Sequence, residues 1–375
     1  MVERVVVAPD KFKGSLSATD VTARVAAGLA AAGFDGEIVR VPVADGGDGT
    51  VDAAVSAGYR RVDLEVTGPI GNAVTASFAL ADGTAVIEAA QACGLTLLPL
   101  GEFAPLTATS RGVGELILAA SRMGAKQIVL GVGGVATTDG GAGLLQALGA
   151  RLLDDEGREL PDGGAALNRL AELDLSGLRE LSEVEFWLAS DVDNPLLGPH
   201  GAASVYGPQK GASGDDVRLL EAGLARWADM AETAVAARVA DQPGAGAAGG
   251  LGFAALLFLG ARMRPGIELL LELSSFSERL DGARLVITGE GSLDAQTLHG
   301  KAPVGVARAA AAHRPLVPVV AVAGRCTLSP DELRAAGISA AYAITDIESD
   351  VARCMANAGP LVRRLAERIA AEWLR

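Results

Sequence analysis

Cysteine and histidine are scarce in this chain, three of each among 375 residues. Cys93, Cys326 and Cys354 form no C-x-x-C pair, which excludes a disulfide framework and a metal site built from Cys and His, and predicts reduced thiols in a cytosol. Only His200, His299 and His313 could serve a Ser-His-Asp triad, and of these only His299 lies inside a dense motif. Basic residues are also in deficit, 32 Lys and Arg against 46 Asp and Glu, for a formal charge of -14. That balance predicts neither a nucleic-acid nor an anionic membrane partner, and an anionic substrate would need local positive charge. No apolar run approaches the ~20 residues that span a bilayer. The apolar start is broken by Pro9 and Asp10, so no secretory signal is expected and the chain reads as cytoplasmic. Gly300-Lys301 runs into Ala302 without the upstream glycine of a P-loop, and neither a G-x-S-x-G elbow nor a protein-kinase loop is present.

What the chain does have is a rhythm of strand, polar loop and helix. Residues 4–7 read as a buried parallel strand, and Ser17 to Asp20 form a capping box for an Ala-rich helix. A second strand over 37–43 empties into a loop and another helix starting at Thr50. The pattern changes at Arg61, where Val62, Leu64 and Val66 alternate with charges, a Gly68-Pro69 turn follows, and residues 74–80 alternate again as an antiparallel hairpin. After Leu280 the simple α/β rhythm returns, with strands at 284–287, 316–322 and 341–344 and a terminal helix. At 375 residues two cores are expected, because single cores stop growing at about 250 to 300 residues. The fold class is therefore α/β with two domains. A parallel-sheet domain at 1–66 and 281–375 is interrupted by an inserted mixed-sheet α/β domain at 67–280, and the Gly- and Ala-rich stretch 242–252 reads as a hinge or linker.

At least five loops at predicted strand ends carry the chemistry. In 10–15 (DKFKGS), Lys13 and Ser15 precede a helix N-terminus, a setting that favours anions. Asp45, Gly46, Gly47 and Asp48 hold two carboxylates among glycines that let backbone approach a ligand. In 130–141 (LGVGGVATTDGG), the G-x-G-x-x-A spacing with Asp154 downstream hints at a dinucleotide site, but Asp139 would then face a pyrophosphate without a cation. Asp139 is read instead as a metal- or substrate-linked carboxylate. Residues 190–195 bring Asp191, and 206–211 bring Gln209 and Lys210 on an exposed turn. The densest loop follows Gly289 and Glu290, with Asp294, Gln296, Thr297, His299 and Lys301. Carboxylates, lysines and Gly-rich helix starts are what phosphoryl transfer to a small anion requires: oxygen ligands for Mg²⁺, and amines that offset charge on the transferred group. The residues thus point to a small-molecule kinase.

The chain also resembles the glycerate kinase family of bacteria. The matching stretches are 8–18 (APDKFKGSLSA), 44–49 (ADGGDG), 139–149 (DGGAGLLQALG), 191–196, 207–212 (GPQKGA), 246–252, and 288–291 through Gly300-Lys301. Lys11 stands where the family commonly has Ser, Ser292 where it has a basic residue, and Ser190 where Cys is frequent. The resemblance implies a flavodoxin-like domain with a second α/β domain inserted, the active site in the cleft between them. It also implies Mg²⁺- and ATP-dependent phosphorylation of glycerate, with 2-phosphoglycerate favoured over 3-phosphoglycerate. On that basis Lys13, Asp191 and Asp294 are expected to be catalytic, with Asp191 or Asp294 orienting the hydroxyl. Asp45, Gly46, Gly47, Asp48, Gly289, Glu290 and Lys301 would bind the nucleotide, Asp45 and Glu290 the metal, and Ser15, Asp139, Gln209 and Lys210 the substrate. A kinase of another short hydroxy acid, a non-catalytic sugar-acid sensor and an NAD-dependent dehydrogenase are the alternatives, and the oligomeric state stays open, a homo-oligomer included.

Overall fold

The computed structural model describes residues 3–375, apart from the side chain of His299. In chain order its strands are β1 (Arg4–Pro9), β2 (Glu37–Arg40), β3 (Arg60–Thr67), β4 (Ala73–Ala81), β5 (Thr84–Glu88), β6 (Gln127–Gly131), β7 (Arg151–Leu153), β8 (Glu172–Asp174), β9 (Glu185–Ala189), β10 (Arg262–Arg264), β11 (Ala283–Leu293), β12 (Val319–Cys326) and β13 (Ala340–Ala343). They fall into two compact units, Met1–Asp45 with Asp52–Gly58 and Pro265–Arg375, and Gly46–Val51 with Tyr59–Arg264.

The first unit is built on a five-stranded, wholly parallel sheet in the order β13-β12-β11-β1-β2. Its inner strands β1, β11 and β12 carry buried runs rich in Val, Ile and Ala because both faces are covered there, as parallel sheets require, whereas the edge strand β2 (EIVR) is only half-buried. Val5, Val7, Leu285 and Ile287 point to one face, under the helices Ala18–Ala31 and Ala358–Trp373, while Val6, Ala8 and Val286 point to the other, under Ala302–Ala312. The Ser17–Asp20 capping box expected from sequence starts the first of these helices. From β1 the chain moves to β2 on one side, and the later strands add on the other. The strand order thus reverses between β1 and β11, the switch point outside whose carboxyl ends ligands bind in open α/β sheets.

The second unit carries a six-stranded mixed sheet, β10-β9-β6-β5-β4-β3, antiparallel at β3/β4 and β4/β5 and parallel elsewhere, and a small β7-β8 ribbon. Its core gathers Phe78, Ile87, Leu116, Ile128, Leu144, Trp227 and Phe253.

The units divide at 58/59 and 264/265, not at 66/67 and 280/281. The whole of β3 pairs with β4, Arg60 opposite Leu80 through Thr67 opposite Ala73, so the unit must begin before β3. The helix Gly266–Leu273 buries Ile267 and Leu271 in the parallel sheet's core, which draws the return crossing earlier. The stretch 242–252 is no linker. Ala248, Gly249 and Gly250 are left-handed in sequence, and Gly249 and Gly250 are buried against residues 137–140.

Candidate active site

At the switch point the parallel register sets Pro9, the last residue of β1, beside Gly289, so Asp10 just beyond β1 and Glu290 within β11 come next to each other. Asp10 N–H donates to Gly289 O at 2.8 Å, and Asp10 Oδ1 accepts from Lys11 N–H at 2.6 Å and lies 3.6 Å from Lys11 Nζ. Burial pushes the Asp10 carboxyl up to about 7, with the Asp45 and Glu290 charges adding to the rise and Lys11 opposing it. Glu290 is raised for the same chief reason, burial, against a 2.5 Å hydrogen bond donated by Thr297 Oγ1 and the Lys301 ammonium at 3.9 Å. Asp45 and Asp294 also press on it. Three carboxylates, one just beyond β1, one in the loop after β2 and one within β11, therefore share one electrostatic neighbourhood, with Lys11 and Lys301 beside them. Sequence reasoning missed Asp10. Its signal was position, the first polar residue after a buried parallel strand.

Asp294 has another character. Although partial burial works against it, hydrogen bonds from Ser292 Oγ (3.0 Å) and Gln296 N–H (3.0 Å), with the Lys301 and Arg325 charges, hold its carboxyl below the usual range. Arg325, the register partner of Ser292 on β12, donates Nε to Ser292 Oγ at 2.9 Å. A guanidinium thus stands next to the position where the family resemblance expects a basic side chain. Lys13 is exposed and makes no ion pair among the described residues, whereas the Ser15 hydroxyl turns back to Phe12 O at 3.1 Å. Gly289 sits inside the sheet, where a Cβ would meet Val322 O at 2.2 Å, so close strand packing and not a ligand accounts for that glycine.

In the second unit the loop after β6 is packed glycine on glycine. A Cβ on Gly133 would lie 2.5 Å from Gly47 Cα, and one on Gly131 2.6 Å from Gly46 O. Asp48 lies against Gly134, and Glu88, also missed from sequence, accepts from the N–H groups of Gly49 and Val51 at 3.1 Å each. Asp191 and Gln209 are exposed, Asp191 just beyond β9 and Gln209 on a short turn.

Two residues expected to meet substrate take other places. Asp139 is fully buried, and its oxygens accept from Ser110 N–H and Oγ (2.8 Å each), Gly141 N–H (3.0 Å) and Gly143 N–H (3.2 Å), so it organises the loop from inside. Lys210, expected on an exposed turn, is 3% exposed and donates Nζ to Thr137 O at 2.6 Å. Burial draws its ammonium down to about 8 against the upward pull of Cys93 and Asp139. The dinucleotide hint also fails: the helix starts only at Ala142, and Asp154 is spent on Arg158 and Glu156 N–H.

The glycerate kinase family model matches residues 5–374. The chain belongs to that family. It is 45% identical over 372 residues to the glycerate kinase of Bacillus subtilis (strain 168), covering 98% of this chain and 97% of that one. To the glycerate 2-kinase of Escherichia coli (strain K12) it is 45% identical over 346 residues, 91% and 90% of the two chains. The crystal structure of a provisionally named glycerate kinase 2 from Salmonella typhimurium LT2 superposes with a TM-score of 0.85 at 42% identity, over 99% of this chain and 98% of that one. As a glycerate kinase family member the chain is an enzyme, a phosphotransferase, and the sensor and dehydrogenase alternatives fall away.

Proposed function

We propose that this protein transfers the terminal phosphoryl group of ATP to a hydroxyl of glycerate, giving 2-phosphoglycerate in preference to 3-phosphoglycerate. The observation that carries the reading is the meeting of Asp10, Asp45 and Glu290 with Lys11 and Lys301 at the switch point of a parallel sheet, in a chain of this family. The E. coli relative's name, glycerate 2-kinase, supports the choice of hydroxyl.

The same carboxylates suit Mg²⁺. Among the described residues no cluster of three or more His, Cys, Asp or Glu forms a ready cage. Mg²⁺ seldom uses one, being held through one or two carboxylates with water and substrate phosphates. Asp45 and Glu290 would hold the ion, and bound there it would neutralise phosphate charge. The raised carboxyls of Asp10 and Glu290 agree with such a role, since buried acids without a cation resist ionising. Lys301 and Lys13 then serve the phosphates or the substrate carboxylate. Asp191 or Asp294 orients the acceptor hydroxyl, and the hydrogen bonds that fix Asp294 suit orientation better than proton abstraction.

Kinetics of Glu290→Gln and Lys301→Met test the assignment. Each should lower turnover by ~100-fold, the scale of losing one preorganised charge at a transferring group, with thermal melting unchanged or raised. Turnover within about threefold of wild type in both would remove this loop from the site.

A further inference from the structure

Beside the lysine-bearing loop of the first unit stands an apolar surface that the reaction as described does not use. The helix Val351–Ala356 follows β13 on the carboxyl edge of the parallel sheet. It is anchored from below by Cys354, which shares a buried cluster with Phe12 and Ala358. Its outer face carries Val351 and Met355, four residues apart and so on one side of the helix, and they are 65% and 50% exposed. Met355 reaches the loop itself, since a Cβ on left-handed Gly14 would lie 3.4 Å from Met355 Cε. The residue before Gly14 is Lys13, exposed and without an ion pair among the described residues.

We infer that Val351 and Met355 form the platform on which the purine ring of the nucleotide lies, with its phosphates running towards Lys13. Two properties of the surface select this ligand. An apolar pair containing a polarisable thioether suits the face of an uncharged aromatic ring, and the adjoining free ammonium suits an anion attached to that ring. A bare phosphate would leave the apolar pair uncovered, and a purely apolar ligand would leave Lys13 unmatched. The carboxylates nearest in sequence, Glu348 and Asp350, accept backbone N–H groups of Asp350 and Arg353, which keeps them in their own turn. The inference rests on the proposed use of ATP but fixes something that reading leaves open, which residues recognise the base.

The test compares ADP with inorganic tripolyphosphate by titration calorimetry, on wild type and on the uncharged variants Val351→Asn, Met355→Asn and their double. Because both side chains are largely exposed, melting temperatures should stay near wild type. The double variant should bind ADP about tenfold more weakly, a tenfold change being about 1.4 kcal/mol, while tripolyphosphate affinity stays within about twofold. Met355→Leu, which keeps the apolar surface, should recover most of the ADP affinity. Unchanged ADP affinity in the double variant would overturn the inference. So would an equal loss for ADP and tripolyphosphate, which would mean a disturbed phosphate loop, or a change in oligomeric state with ADP binding intact, which would mark the pair as a contact between copies. Absence of glycerate phosphorylation by wild type that still binds ADP through these residues would count against the parent reading alone.

Discussion

At the scale of single residues, burial decides which side chains can face a ligand, and sequence alone resolves it poorly. Lys210 and Lys13 each stand directly before a glycine, Gly211 and Gly14, yet one is enclosed and the other exposed. Nothing in GPQKGA shows that the amine turns inward to Thr137 O, because that carbonyl lies 73 residues away. Asp10 is hidden for the converse reason: its lysine neighbours give the loop a basic look, while its own enclosure comes from the neighbouring strand. Lys210 makes a pH signature. Its ordinary value is 10.5 and its folded value about 8, in the company of Cys93 and Asp139. Below about pH 8 both folded and unfolded chains carry the proton, and the folded state bears the full cost of a buried charge. Between about 8 and 10.5 the unfolded chain keeps a proton that the folded one has shed, so the stability contributed by this site rises with pH, by up to about 1.4 kcal/mol per unit. Urea midpoints of wild type and Lys210→Met at about pH 7 and about pH 9.5 should therefore diverge in favour of wild type at the higher pH. A constant offset would contradict the buried-amine account.

At the scale of elements, the hydrophobic period served well wherever local pattern and tertiary packing agree. The β1 strand, the capped helix after it, the β3–β4 hairpin and the return to α/β rhythm after Leu280 were all legible. The glycine-rich stretch 242–252 was not, because its composition is that of a linker and its fate is set by what packs on it. Gly249 has φ +68°, and a Cβ there would fall 2.1 Å from Thr137 O, the same carbonyl that Lys210 holds. Trp227 Nε1 donates to Gly140 O at 3.0 Å, and Gly140 N–H donates to Gly249 O at 3.0 Å, so the left-handed turn and the loop after β6 are fastened together. Gly249→Ala combines backbone strain with a clash, and it should cost about 2 kcal/mol or more. Chemical denaturation would measure it; a loss below about 0.5 kcal/mol would show that the segment yields as a true linker does.

At the scale of the whole molecule, the discontinuous plan was readable from the break and return of the α/β rhythm, although its boundaries shifted where β3 and the helix Gly266–Leu273 joined sheets the local pattern could not assign. The chemistry follows from topology in the first unit: reversal of strand order between β1 and β11 gathers Asp10, Asp45, Glu290 and Lys301 from residues nearly 300 positions apart. No motif in the sequence spells that cluster, and only the sheet order assembles it. The central claim is the phosphorylation of glycerate, and phosphorus NMR of purified protein incubated with ATP, Mg²⁺ and D-glycerate tests it most directly. Loss of the ATP γ-phosphorus signal and growth of a resonance matching 2-phosphoglycerate are expected. ATP left intact, or inorganic phosphate appearing with no phosphoglycerate, would contradict it.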